Sequence, residues 1–248
     1  MVKSLQNLRT TITLALCFLF VNGLKTFAQE TSAKSTYNWF DKKVGIETLP
    51  ISNGKLHLNS DKTIDNKHRY YASDKPIQGR LSYDSQEYFD VNLKYDIFKD
   101  EIILTSVGMW KLTEVNLTKE KVQYFKLNGK KFINLDIYNQ LPENFRSGYY
   151  EENVISKNFT FYIKHYKIKK EIIKDQSLYI DYNNENEFVL FIEGKYNNIN
   201  NKRQLLKFFP NYKNQINNYY LINSNLKREN LVQFMENLLN YIKSISIQ

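Results

Sequence analysis

Hydrophobic and polar residues alternate most clearly over Tyr88–Tyr95, with Phe89, Val91, Leu93 and Tyr95 on one face and Tyr88, Asp90, Asn92 and Lys94 on the other. A period of two puts one face of a strand in a core and the other toward water. The run Ile77–Tyr83 precedes it, joined through Asp84-Ser85-Gln86, whose residue types suit a hairpin turn. Further short runs of β-formers follow at Glu101–Thr105, Leu112–Leu117, Lys121–Leu127 and Lys131–Leu135. Asn128-Gly129, between the last two, is the dipeptide that two-residue hairpins favour, because both positions take a positive φ. This stretch predicts an antiparallel meander.

A second β block is less regular. Phe159–Tyr166 is aromatic on both faces. Leu178–Tyr182 and Phe188–Glu193 read as two strands split by a turn at Asn183-Asn184-Glu185-Asn186. Phe188–Ile192 is apolar throughout, as expected of a strand covered on both faces. The period then changes. Lys202–Phe209, stopped by Pro210, and Lys213–Ile222 read as short helices. Over Leu226–Ile245, Leu231, Phe234, Met235, Leu238, Leu239 and Ile242 form one apolar stripe at helical spacing. Such a stripe needs a partner layer, and the sheet is the nearest one. The alternative is an exposed helix that binds a partner. The expected fold class is α+β: a mainly antiparallel curved sheet, open barrel or sandwich, with C-terminal helices packed on it.

The first 28 residues change the setting. Lys3 and Arg9 precede the apolar run Thr10–Leu24, and Thr26-Phe27-Ala28 offers small residues before Gln29. This is the pattern of a secretory signal peptide cleaved between Ala28 and Gln29. The run is short for a membrane span, which needs about 20 apolar residues, and Asn22 and Gly23 interrupt it. Cys17, the only cysteine, leaves with the peptide, so an exported domain would rely on its core and not on disulfides. The expected organisation is a signal peptide (1–28), a flexible lead-in (29–43), a β domain (44–199) and a helical segment (200–248). No membrane span is expected after cleavage.

The chain carries 35 Lys and Arg against 26 Asp and Glu, and Lys3, Arg9 and Lys25 go with the signal peptide. The remaining charges are interspersed, as in Lys119-Glu120-Lys121, without a stripe fit for a phosphate backbone, so nucleic acid is not an expected partner. The 19 Tyr and 16 Phe suit half-buried pleated surfaces.

Candidate chemistry is sparse. His57, His68 and His165 have no second His three or four residues away, so no metal or cofactor site is expected. His165 reads as a structural histidine, whereas His57 and His68 flank a loop and have room to meet. No Gly-x-Ser-x-Gly motif, reactive Cys or Gly-rich phosphate loop occurs. The acids Asp84, Glu87, Asp90, Asp96, Asp100 and Glu101 cluster within eighteen residues. Two carboxylates facing across a sugar are what glycoside hydrolysis needs. The plainer reading makes these acids turn markers on a solvated hairpin face, balanced by Lys94 and Lys99. Trp110, Tyr149 and Tyr150, next to Gly or turn residues, are candidates for an exposed sugar platform.

Several segments resemble a family of uncharacterised exported proteins of Bacteroidota-type bacteria: Tyr70-Tyr71 with Pro76–Tyr83, Val91–Ile103, Val122–Leu127 with Lys131-Phe132, Gly148-Tyr149-Tyr150, and Leu206–Pro210 ahead of the terminal helix. The insertion Glu151-Glu152-Asn153-Val154 departs from that pattern. The resemblance implies a component of the periplasm or outer-membrane periphery and no particular activity. The leading expectation is a non-catalytic envelope protein that binds a ligand or a periplasmic or outer-membrane protein. The alternatives are a carboxylate-dependent hydrolase acting on glycans and a carrier of apolar ligands between sheet and helices.

Overall fold

The computed structural model describes residues 34–65, 67–107, 112–138 and 141–246. The signal peptide with its Ala28/Gln29 junction, and Trp110, lie outside the described residues. The chain divides into two units at Leu49/Pro50. In the first, residues 34–44 form helix α1, within and just past the stretch read as a flexible lead-in. The Gly45 N–H closes its end on the Asp41 carbonyl (2.9 Å).

The second unit is α+β. Its strands are β1 (Lys55–Leu56), β2 (Ile77–Tyr83), β3 (Gln86–Asp96), β4 (Glu101–Val107), β5 (Leu112–Asn116), β6 (Val122–Leu127), β7 (Lys130–Asn134), β8 (Tyr149–Val154), β9 (Phe159–Lys174), β10 (Ser177–Ile192) and β11 (Lys195–Asn198). Among the described residues they form one antiparallel sheet in the order β1-β5-β4-β3-β2-β6-β7-β8-β9-β10-β11, open between β1 and β11. No described helix is long and apolar enough to cross a membrane.

The hairpin turns follow from residue type. Tyr83 pairs with Gln86, so the turn there has two residues, Asp84 and Ser85, at φ 52° and 65°. Asn128 and Gly129 sit at φ 49° and 74° between paired Leu127 and Lys130. A Cβ on Gly129 meets nothing within 4 Å. Gly129→Ala is therefore expected to cost only the left-handed backbone penalty, roughly 1 kcal/mol, measurable by urea denaturation.

Two expectations are corrected. The strict alternation of β3 is broken by a bulge, where Gly79 pairs with Val91 but Leu81 pairs with Tyr88. Asp90 takes φ 54°. The extra residue exchanges faces, so Tyr88, and not Phe89, shares the face of Val91 and Leu93. The second correction concerns Asn183–Asn186, which is continuous strand. β9 and β10 pair from Phe159 with Ile192 to Lys174 with Ser177, and this ladder overrides the turn preference of four polar residues. β8, not anticipated from the pattern, adds to the other edge of β9 over Thr160–Ile163 only, leaving the outer half of this hairpin without that neighbour.

A strap of chain joins the two ends of the open sheet. It leaves β1, which pairs with β5, and Thr63 then bridges Ile180 of β10. The Tyr182 hydroxyl donates to Asp61 (2.6 Å), and Lys67 pairs with Asp181 (3.0 Å). Returning, the strap lays Tyr70 beside Asp96, with the Tyr71 N–H on the Tyr95 carbonyl (2.8 Å).

The C-terminal helices are α2 (Lys202–Phe208), α3 (Lys213–Ile222), α4 (Ser224–Glu229) and α5 (Leu231–Ser246). Asn201 and Gln204 form a capping box at α2. The helix expected over Leu226–Ile245 is interrupted at Asn230, whose side chain caps α5 by accepting from the Gln233 N–H (2.9 Å). The apolar stripe of α5 (Phe234, Met235, Leu238, Leu239, Ile242) is buried with Phe161, Ile163, Phe188 and Leu190 of the sheet. Val189 faces the other way, against Leu135, Tyr150 and Tyr162, so β10 is covered on both faces here.

Candidate functional site

The clustered acids do not converge. Asp84 pairs with Lys121 (3.0 Å) at its exposed turn. Glu87 accepts from Arg80 (2.7 Å) and the Tyr124 hydroxyl. Asp96 is fully buried against Arg69 (2.6 Å) and accepts the N–H groups of Phe98 and Lys99 at 3.0 Å. Burial pushes its carboxyl pKa up despite these partners. Asp100 accepts from the Tyr95 hydroxyl (2.6 Å), Lys119 (2.7 Å), Lys164 (2.8 Å) and the Tyr149 N–H (3.3 Å). Burial raises its pKa too, but the two ammonium groups prevail and hold it below the usual carboxylate range. The solvated-face reading is thereby corrected for Asp96 and Lys94, which are buried, and for Asp100, which is largely covered; all three are ion-paired, Lys94 with Glu114 (2.7 Å). Gly148 belongs to the same knot. It takes φ +100°, and a Cβ there would stand 1.6 Å from Asp100 Oδ2.

The aromatic platform is corrected as well. Tyr149 and Tyr150 are buried, and the Tyr150 hydroxyl donates to the Arg146 carbonyl (2.6 Å). His57 and His68 both pack against Tyr70, each with its ring centroid 6.0 Å from that of Tyr70. His57 is locked in a polar chain. Asn116 donates its amide N–H to Glu101 (3.0 Å), which leaves its oxygen for His57 Nδ1 (2.8 Å). Nδ1 therefore carries the proton, and Nε2 accepts from the Tyr70 hydroxyl (2.8 Å). Burial lowers the His57 pKa, which suits this neutral form.

A polar cleft lies where the strap, the β9–β10 hairpin and the start of α5 meet. One cavity, of about 400 Å³, is lined by Tyr71, Ala72, His165, Asn184, Glu185 and Asn186, and by Glu229–Val232. A second, of about 310 Å³, is lined by Lys67, His68, Tyr70, Ala72, Lys167 and Tyr182–Asn184. Ala72 and Asn184 line both, so the two cavities adjoin. In the first, His165 Nε2 donates to Glu151 (2.8 Å), which is 1% exposed. No hydrogen bond to His165 Nδ1 is made by the described residues. Burial pushes the Glu151 carboxyl up, but the bonds from His165 and Lys130 overcome this and keep it ionised. Lys130 is in turn paired with Glu236 of α5, so the helix layer helps to fix the imidazole. Tyr71 packs edge-on to His165 at 5.1 Å, and burial raises its pKa to about 12, so it remains a hydroxyl donor.

This arrangement offers many hydrogen-bond donors and acceptors on a rigid frame of strands. It includes an imidazole held by a buried carboxylate, a geometry also used for proton transfer. The structural reading of His165 agrees with its bond to Glu151, but the wall it forms was not anticipated. Nor were Tyr71, Lys167 and Asn184. The signal available was the Asn-rich run itself, polar residues in a chain position flanked by strands. No protein family, curated protein or solved structure matches this chain.

Proposed function

We propose that this is an exported, non-catalytic binding protein of the cell envelope, related to the Bacteroidota-type family that its segments resemble, which holds a polar ligand or a polar segment of a partner protein in the cleft between strap, hairpin and α5. The observation that carries this reading is the pair of adjoining cavities with their Tyr, Asn, His and Lys lining. Ligand sites typically combine concavity with a few convergent polar groups. The layer between helices and sheet is filled by Phe161, Phe188, Phe234 and Leu238, which supports a surface cleft over an enclosed apolar carrier cavity. Asp84, Glu87, Asp96 and Asp100 are each engaged by separate partners and none lines the cleft, which favours binding over glycan hydrolysis by that cluster.

The test is to pass purified protein over a glycan and peptide array and over envelope extracts, then to map any bound molecule by amide chemical shifts. Shifts at Tyr71, His165 and Asn184, and an affinity at least tenfold weaker (~1.4 kcal/mol) in Tyr71→Ala, are expected. Binding that maps elsewhere, or no binding in either assay, would refute the proposal. Hydrolysis retains one specific support, the Glu151–His165 pair. It requires turnover of an ester or glycoside that disappears in His165→Gln.

A further inference from the structure

We propose that the end of the cleft formed by Lys67, His68 and Lys167 is an oxyanion subsite, which takes a carboxylate or phosphate group of the ligand. The inference rests on the reading of the cleft as a binding site and adds the chemical class of what enters it.

Three observations carry it. First, the Tyr70 backbone N–H donates to His68 Nδ1 (3.2 Å). That bond occupies the Nδ1 lone pair and places the ring proton on Nε2, so the free nitrogen of His68 is a donor. Second, Lys167 is half-buried and makes no ion pair among the described residues. Burial lowers its pKa, and His68 beside it is lowered by burial and then by the Lys167 charge. A partly desolvated ammonium with no counter-charge, beside an imidazole that presents an N–H, is unfavourable unless an anion joins them. Third, no carboxylate lines this 310 Å³ cavity, whose remaining walls are Tyr70, Ala72, Tyr182, Asn183 and Asn184.

Of the acids around it, Asp74 acts on the His68 imidazole from outside the cavity lining, and two others are committed elsewhere. Asp181 holds Lys67 at 3.0 Å and accepts from Asn183 (3.3 Å), and Asp61 accepts from Tyr182 (2.6 Å). Arg69 is likewise taken up by Asp96 (2.6 Å). Lys67 still has N–H groups beyond the one facing Asp181. The cavity thus presents an excess of donors, from two ammonium groups, an imidazole and two amides, in a space at the small end of ligand pockets. Glu185 and Glu229 line only the adjoining cavity, so the cleft is polarised along its length.

The experiment is calorimetric titration of the full purified protein at low salt and neutral pH with inorganic phosphate, glucuronate and glucose, followed by the His68 imidazole signals in NMR. The two anions are expected to bind and to move the His68 signals, and glucose is not. The tighter of the two identifies whether phosphate or carboxylate is the natural group. Lys167→Met and His68→Gln are each expected to weaken anion binding at least tenfold while leaving the melting temperature within a few degrees. Anions that bind no better than glucose, or that bind Lys167→Met undiminished, overturn the subsite. If neutral glycans or peptides still shift Tyr71 and His165 in that case, the cleft reading survives without it. If nothing binds, both fall.

Discussion

Asp100→Asn is expected to lower the free energy of unfolding by about 3–5 kcal/mol, the range for removing one partner of a buried ion pair. The carboxylate accepts from Tyr95, Lys119, Lys164 and the Tyr149 N–H at 2.6–3.3 Å, and the Lys164 side chain is only 4% exposed. An amide of the same shape keeps one acceptor oxygen and turns N–H groups toward an ammonium that water cannot reach. The sign of the pH dependence follows from the depressed pKa of Asp100. An unfolded Asp titrates near 3.9, so the stabilisation is complete above about pH 4 and is lost as pH falls through the lower folded value. Urea midpoints of the two proteins should therefore be far apart at pH 6 and converge toward pH 2. A gap that stays constant over that range would mean that the ionised carboxylate is not what holds the knot. Gly148→Ala tests the same knot from the other side, since its Cβ needs the space of Asp100 Oδ2.

Phe234→Ala is expected to cost about 3–5 kcal/mol, as for other fully buried aromatic truncations. Phe234 has 0% exposure and packs on Tyr219 (5.5 Å) and Tyr220 (4.9 Å), in one cluster with Phe161 and Phe188 of the sheet. Because helix and sheet share that cluster, the loss should appear as one cooperative transition at a lower midpoint, by far-ultraviolet and aromatic circular dichroism alike. Two separate transitions would show that the helices form an independent unit. The same variant should weaken cleft binding, because Leu231 and Val232 at the start of α5 form one wall and Glu236 steadies Lys130 and, through Glu151, His165. Unimpaired binding in a destabilised protein would separate the wall from the cluster.

Much of the fold was legible because local rules and tertiary structure agree there. The turn at Asn128-Gly129, the strand Ile77–Tyr83, the helix Lys213–Ile222 and the apolar stripe of α5 are all local features, read from residue types at neighbouring positions. The bulge at Asp90 was not legible, because it depends on how β2 lies against β3 and not on β3 alone. Asn183–Asn186 misled for a similar reason. Their intrinsic preference is for turns, and only the sixteen-residue partner strand β9 makes extended backbone the better choice.

The candidate site was legible in types but not in places. The six clustered acids looked like shared chemistry because they are close in sequence. In space Asp96 turns to Arg69 and Asp100 to Lys119 and Lys164, partners that come from distant strands or loops. His165 and Glu151 are fourteen residues apart in the chain, which no short motif spans.

Composition and periodicity, being properties of neighbouring residues, were enough for an α+β protein built on an antiparallel sheet with a terminal amphipathic helix. Which charges meet, which aromatics are covered and where a cleft opens were decided by the strap from β1 to β10 and by the helices laid on β9 and β10. Those contacts join residues tens to more than a hundred positions apart, Asp61 with Tyr182 among them. Their cost or gain depends on burial, and burial exists only once the sheet has formed and been covered.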